Sequence, residues 1–203
     1  MNSTRKERQH IRIIACGVFK PALEHIRLQE KFPNIQVTYL PSNLHLQPGE
    51  LKVRLSLEVT KAQEKNERII CLYGECFPGI GDVCQDCGAL RMKEGHCHQI
   101  LLGPKQFDEV MNETAGTYFL EQELITNFEN YCMGPLELDD DEMRHIFFDH
   151  YNKILYVHQP SDPDIEDEAS CISTFLDLPL EIKEADYSHL EQQLTEMILS
   201  CKD

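Results

Sequence analysis

Short apolar segments alternate along this chain with longer segments of helical pattern, and this alternation limits the possible fold more than any other feature. The apolar segments read as strands over residues 12–16, 35–40, 68–73, 154–158 and 180–184. Strands separated by helices of about 10–15 residues pair in parallel, because a parallel connection needs a long crossover. The sequence therefore predicts an α/β fold, with a mainly parallel, Rossmann-like sheet and helices on both of its faces.

The helical segments start at recognisable signals. Pro21 and Pro48 stand at predicted helix starts, where the missing N–H of proline costs nothing. Helices are predicted over residues 21–30, 48–65, 104–112, 120–131, 140–152, 164–176 and 189–201. The chain has 203 residues, no internal repeat and no low-complexity linker. We therefore expect a disordered tail over residues 1–10 and a single domain over residues 11–203.

Charge and hydropathy argue against two classes of partner. The chain has 35 acidic and 19 basic residues, which give a formal net charge of -16 at pH 7. A field of that sign repels nucleic acid and anionic membranes. The apolar stretch 11–19 is too short, and with Arg12 too polar, for a signal peptide or a membrane span. We expect a soluble, cytoplasmic protein that binds neither nucleic acid nor membrane.

One segment of the chain is rich in cysteine and histidine. Thiolate and imidazole groups are ligands of zinc, iron and iron–sulfur clusters. In a cytoplasmic protein, such a density of cysteines indicates metal or thiol chemistry rather than a set of disulfides. The residues concerned are Cys71, Cys76, Cys84, Cys87, His96, Cys97 and His98. The segment therefore indicates a site, although it does not identify a reaction.

The strand pattern connects this segment with residues that are distant in sequence. Cys16 ends the first predicted strand, His45 follows the second, and Cys76 follows the third. The carboxyl ends of parallel strands share one edge of a sheet, where such proteins bind their ligands. We therefore predict a composite metal site, in which Cys16 and His45 join Cys76, His96 and Cys97. Cys71 lies within a strand and is expected to fill the core.

Cys84 and Cys87 have the spacing of a metal knuckle or of a redox dithiol. A redox dithiol needs its first cysteine at a helix start, which lowers the pKa of the thiol. The nearby Gly79, Gly81 and Gly88 favour a mobile or ligand-shaped loop instead. Whether this pair joins the site remains open at this point.

Several short blocks of the sequence resemble a known family. They are IIACGVFKP, LPSNLH, ICLYGECFPG, GHCH, GTYFL and FFDHYNKILYVHQPSD, in that order. Over residues 12–184 the chain resembles family 1638 of the domains of unknown function, found in bacteria and archaea. The resemblance implies a single α/β domain whose shared polar positions are Cys16, His45, Cys76, His96 and Cys97. By the same resemblance, Cys84 and Cys87 are additions in this chain.

Members of that family are often encoded near corrinoid-dependent methyltransferases. The resemblance therefore implies an accessory protein or enzyme of corrinoid-linked methyl metabolism that binds zinc, iron or an iron–sulfur cluster. A corrinoid protein or a methyltransferase would be its partner, and the corrinoid would be reached through that partner. Two alternatives stay open. One is a non-catalytic module that binds a cofactor or partner and holds a structural zinc; the other is a thiol redox protein that uses Cys84 and Cys87.

Overall fold

All strand pairs in the computed structural model, which describes residues 9–201, run parallel. The strands form two sheets, one of four strands and one of three. Contacts between residues divide the chain into two compact units. Of the described chain, residues 9–96 and 190–201 form the first unit and residues 97–189 form the second.

The first unit contains the four-stranded sheet. Its strands are β1 (Ile11–Cys16), β2 (Ile35–Leu40), β3 (Arg68–Leu72) and β4 (Leu90–Arg91), in the order β2-β1-β3-β4. Its helices are α1 (Lys20–His25), α2 (Leu28–Lys31), α3 (Pro48–Glu64) and α4 (Ile80–Asp86). Short 3-10 turns cover Gly17–Phe19 and Ser42–Leu46. Each connection between consecutive strands contains at least one helix, because parallel strands need a long crossover.

Strand β1 is central because its sequence suits burial on both faces. All six of its residues are buried, and the run IRIIAC is almost wholly apolar, as is typical of an inner parallel strand. The exception is Arg12, which forms a bidentate ion pair with Glu67, with Nε–Oε2 at 2.9 Å and Nη2–Oε1 at 3.0 Å. Its Nη1 also donates to the Thr38 hydroxyl at 3.0 Å. The one charge in β1 is therefore fully paired.

The second unit contains the three-stranded sheet. Its strands are β5 (Thr117–Leu120), β6 (Lys153–His158) and β7 (Leu180–Glu184), in the order β5-β6-β7. Its helices are α5 (Cys97–Leu102), α6 (Pro104–Glu113), α7 (Gln122–Thr126), α8 (Asp141–Phe148) and α9 (Glu166–Leu176), with a π-helical turn over Glu129–Met133. A last helix, α10 (Ser188–Ser200), starts at the end of this unit and belongs to the first unit from Leu190.

The α/β class with parallel, Rossmann-like pairing is confirmed, although the strands divide between two sheets. The single domain over residues 11–203 stays a prediction. The tail predicted over residues 1–10 lies outside the described residues, except for Gln9 and His10. Their carbonyl oxygens accept hydrogen bonds from the Asn34 side chain and from the backbone of Arg68, each at 2.9 Å. Within residues 9–201, no helix has the length and apolar character needed to cross a membrane.

Two predicted helices differ from the observed elements. The helix predicted over residues 21–30 is divided into α1 and α2, because Arg27 has a left-handed backbone with φ of 52°. The helix predicted over residues 120–131 is also wrong at its start, since Leu120 ends β5. The β-branched and aromatic residues of GTYFL favour a strand there. Helix α7 lies within the predicted segment, and the π-helical turn covers its last three residues and extends to Met133.

The Arg12–Glu67 pair provides a test of this packing. Both side chains are 10% exposed, so Glu67→Ala leaves a buried guanidinium without its partner. We expect a loss of about 3 kcal/mol in the free energy of unfolding, measured by urea denaturation. The matched control is Glu30→Ala, which removes an exposed pair with Arg27 at 3.9 Å and is expected to cost less than about 1 kcal/mol. Equal losses in the two variants would show that the buried Arg12–Glu67 pair does not stabilise the fold more than the exposed pair does.

Candidate functional site

Three of the predicted ligands follow the carboxyl ends of neighbouring strands in the first sheet. Cys16, the last residue of β1, pairs with Leu40 at the end of β2, and Ala15 pairs with Leu72 at the end of β3. The three strands therefore end at one edge. His45 lies in the turn that follows β2, and Cys76 lies four residues after β3.

Cys16 and His45 differ in their exposure to solvent, and His45 is oriented by a hydrogen bond. Cys16 is buried, with 6% of its surface exposed. His45 is exposed, and its Nδ1 lies 2.8 Å from the carbonyl oxygen of Ser42. Because a carbonyl oxygen can only accept, Nδ1 carries a proton, and the lone pair of the neutral imidazole is therefore on Nε2. Metal-binding histidines commonly have this arrangement, in which the second ring nitrogen donates to a carbonyl.

Cys76 and His96 lie beside one backbone contact. The N–H of Glu75 donates to the carbonyl oxygen of Gly95 at 2.7 Å, so the loop after β3 runs next to the segment before His96. Cys76 is half-buried and His96 is exposed, and neither lies in a helix or strand. Cys97 begins α5 in the second unit. The membership of these residues in one ligand set stays a prediction.

The residues are not arranged as a finished metal site. Within residues 9–201, no group of three or more His, Cys, Asp or Glu side chains is placed so that it could hold a metal ion. Cys16, His45 and Cys76 accordingly share one edge of the first sheet without forming a preformed group of three ligands.

The structure corrects the environment predicted for Cys84 and Cys87. The expected loop is wrong: Cys84 lies within helix α4, and Cys87 caps its carboxyl end. The Cys87 thiol donates to the carbonyl oxygen of Cys84 at 3.1 Å. The glycines that suggested a loop lie at or near the helix ends, with Gly79 at its amino cap and Gly88 just beyond its carboxyl cap.

Cys71 is a partner of Cys84 that sequence reasoning missed. It is fully buried in β3, as expected for a core residue, and its thiol hydrogen-bonds with the thiol of Cys84. This hydrogen bond lowers the pKa of Cys84, and the Arg91 guanidinium acts in the same direction. The same hydrogen bond, together with burial, raises the pKa of Cys71 well above its ordinary value. Cys84 is therefore the more readily ionised thiol of the two. No sequence spacing relates a strand cysteine to a helix cysteine thirteen residues away.

A second group of polar side chains lies at the carboxyl edge of the second sheet, and sequence reasoning did not identify it. His158 and Glu184 end two neighbouring strands, and His158 Nδ1 lies 2.8 Å from Glu184 Oε2. This bond raises the pKa of His158. Asp162 follows β6, and its Oδ2 accepts hydrogen bonds from the Tyr156 hydroxyl at 2.8 Å and the Gln159 backbone at 3.0 Å. The sequence did contain a signal for this group, because Glu121 and Gln159 directly follow two apolar strands.

Glu121 is the most deeply buried carboxyl group of this second edge. It directly follows β5 and is 7% exposed, and its oxygens accept from the backbone N–H groups of Glu123 and Leu124 at the start of α7. Burial raises the pKa of Glu121 to about 7, and the neighbouring Asp162 acts in the same direction. A carboxyl group with such a pKa, at the carboxyl edge of a parallel sheet, indicates a candidate binding site.

The pKa of Glu121 predicts a pH dependence of stability. Because the folded state raises this pKa from 4.5 to about 7, the stabilising contribution is present at low pH and is lost as pH rises through 7. Between about pH 4.5 and about pH 8, the free energy of unfolding should fall by about 3 kcal/mol more in the wild type than in Glu121→Gln. Urea denaturation at both pH values measures this difference. The control is Glu142→Gln, which changes an exposed carboxylate. If Glu121→Gln kept the pH dependence of the wild type, Glu121 would not be the group that causes it.

The comparison with known families covers most of the chain. Residues 39–194 match the family model described as "Protein of unknown function (DUF1638)". Searches of the curated proteins and of the solved structures returned no match. The match includes His45, Cys76, His96 and Cys97, and it begins after Cys16. Since it spans more than half of the sequence, the chain belongs to the DUF1638 family of proteins of unknown function.

Proposed function

We propose that this chain binds zinc or iron at the carboxyl edge of its first sheet. In this proposal Cys16 and Cys76 are thiolate ligands, and His45 or His96 completes the set. The observation that carries it is that β1, β2 and β3 end at one edge of the sheet, where Cys16 is the last residue of β1 and where His45 and Cys76 follow β2 and β3. Parallel α/β sheets bind their ligands at this edge.

The local contacts support a site that forms as the metal binds. Cys16 is held at the end of a buried strand and offers a fixed donor. Cys76 and His96 lie outside helices and strands, in segments joined by the Glu75–Gly95 backbone hydrogen bond. His45 keeps Nε2 available because Nδ1 donates to Ser42. Assembly of this kind accounts for the absence, within residues 9–201, of a preformed group of three ligands.

Thiolate ligands determine how binding depends on pH and what chemistry follows. Cysteine binds a metal as the thiolate, so binding releases protons and strengthens as pH rises. Zinc with an open coordination position would activate a bound thiol or water, whereas an iron–sulfur cluster would carry electrons. In both cases the residues that would hold the group are Cys16 and Cys76, with His45 or His96.

The proposed biological setting is corrinoid-linked methyl metabolism. Its support is the family resemblance, because members are often encoded near corrinoid-dependent methyltransferases. A corrinoid protein or a methyltransferase would then be the partner that contacts the metal-binding edge. The excess of acidic residues in the chain fits a partner with a basic docking face.

Metal content of the purified protein tests this proposal. We expect about one metal site per chain in anaerobically purified wild type, measured by elemental analysis and visible absorption. Cys16→Ser and Cys76→Ser should each lower the metal content at least about tenfold, because each removes a thiolate ligand. The matched control is Cys171→Ser, which changes an exposed cysteine on α9.

Two results would overturn the metal proposal. One is a wild-type protein that neither retains nor takes up zinc or iron. The other is full metal content in both Cys16→Ser and Cys76→Ser with the fold unchanged by circular dichroism. A brown protein would assign iron–sulfur, whereas a colourless protein with bound zinc would assign zinc.

A second candidate function is thiol redox chemistry, and one contact favours it. The thiols of Cys71 and Cys84 hydrogen-bond to each other, and Cys84 has the lowered pKa that a nucleophilic thiol needs. With a hydroperoxide as oxidant, the Cys84 thiolate takes one oxygen to form a sulfenic acid and releases water or an alcohol. The Cys71 sulfur then bonds to the Cys84 sulfur as the S–O bond breaks. The sulfenic oxygen leaves as water, with the proton of the Cys71 thiol. The half-buried Cys87 lies beside this pair.

Oxidation of the purified protein tests the second function. After hydrogen peroxide treatment, peptide mapping under non-reducing conditions should show a Cys71–Cys84 disulfide, which dithiothreitol reverses. Cys84→Ser should abolish it, and Cys171→Ser should leave it unchanged. A disulfide restricted to Cys84 and Cys87, or oxidation to a sulfinic acid without a disulfide, would contradict the assignment of Cys71 as the partner.

A further inference from the structure

Three buried side-chain oxygens at the carboxyl edge of the second sheet accept no hydrogen bond from any residue within 9–201. They are Gln122 Oε1, Gln159 Oε1 and Asp162 Oδ1. Buried polar atoms in folded proteins are almost always paired, so an unpaired set calls for a physical explanation. We propose that this edge binds a small molecule through its protonated primary amine.

The three oxygens belong to loops that begin side by side. Gln122 is the first residue of α7, two residues beyond the end of β5, and Gln159 directly follows β6. These strands are parallel neighbours, with Leu120 paired to Tyr156, so both loops leave from the same edge. Asp162 is held in the β6 loop, where its Oδ2 accepts the Gln159 N–H at 3.0 Å. Its other oxygen, Oδ1, remains available.

Burial makes these acceptors costly in the absence of a donor. Gln159 is 1% exposed, which is rare for a glutamine side chain. An unpaired amide oxygen in such a place loses its interaction with water without replacing it. A ligand that supplies N–H groups restores these hydrogen bonds. The unpaired acceptors therefore select a donor-rich ligand.

The charges around the edge select a cation. Glu121, Asp162 and Glu184 all lie near this edge, and Glu166 acts on the same groups from the start of α9. The cationic side chain among them is His158, and it is held by Glu184. The carboxyl groups of Glu121 and Asp162 disfavour each other's ionisation. A positively charged ligand relieves this repulsion.

The number and the type of the acceptors favour an ammonium group over a metal ion. A primary ammonium carries three N–H donors, the same number as the available acceptors. Calcium and magnesium need six or more oxygen ligands, usually with several carboxylates. Within residues 9–201, no group of three acidic, histidine or cysteine side chains is placed to hold a metal. The acceptors include two neutral amides, which suit hydrogen bonding to an amine.

Binding of simple amines tests the proposal. The probes are ammonium, ethylammonium and 1,4-diaminobutane chlorides, compared at equal ionic strength with tetramethylammonium and sodium chlorides. Tetramethylammonium has the same charge as a primary amine and lacks N–H donors. We expect the primary amines to raise the thermal unfolding temperature of the full chain and to bind in titration calorimetry. The two control salts should do neither.

Two substitutions locate the binding. Gln159→Leu removes a buried acceptor; it should raise the unfolding temperature without amine and weaken amine binding at least about tenfold. Asp162→Asn keeps an acceptor for Tyr156 and Gln159 and turns an amide N–H₂ toward the ligand position, so it should weaken binding at least as much. The exposed Gln36→Leu on β2 is the matched control and should bind like the wild type.

Three outcomes would overturn the proposal. The first is an equal response to primary amines and tetramethylammonium, since charge alone would then explain it. The second is the absence of binding by all three amine probes in a folded wild-type protein. The third is wild-type affinity in both Gln159→Leu and Asp162→Asn. None of these outcomes depends on the metal content of the first unit, so this test and the metal test can fail separately.

Discussion

Parallel pairing of neighbouring strands is the constraint on which the rest of this structure depends. It requires a crossover between consecutive strands, and these crossovers supply the helices of both units. It also makes neighbouring strands end on the same side, as Cys16 does beside Leu40. Each sheet therefore has one edge at which polar loop residues collect, while the inner strands β1 and β6 are largely apolar and buried.

The two edges carry different chemistry. The carboxyl edge of the first sheet offers soft and borderline metal ligands. Cys16 ends β1, and His45 and Cys76 follow the two strands beside it. The carboxyl edge of the second sheet offers oxygen acceptors, among them the carboxyl groups of Glu121 and Asp162. The first set suits a late transition metal and the second suits a cationic hydrogen-bond donor. The two proposals thus assign two kinds of ligand to one type of scaffold.

Burial determines which polar groups have altered properties. Arg12 is buried in β1, and its charge is balanced by Glu67. Glu121 has backbone donors but no cationic partner in the described residues, so desolvation raises its pKa to about 7. Cys71 loses acidity through its hydrogen bond with Cys84 and through burial, while Cys84 gains acidity from the same hydrogen bond. These differences follow from packing, since residues of the same types elsewhere in the chain are exposed.

Local sequence determined the α/β class, the parallel pairing and the positions of most strands, because apolar runs and helical periodicity are properties of neighbouring residues. It also indicated that Cys16, His45 and Cys76 follow strand ends. Only the tertiary structure decided that the strands form two sheets, that Cys84 lies in a helix and contacts Cys71, and that Gln159 and Asp162 hold buried unpaired oxygens. Those outcomes depend on contacts between distant residues and on solvent exclusion, and neither has a signature in local sequence.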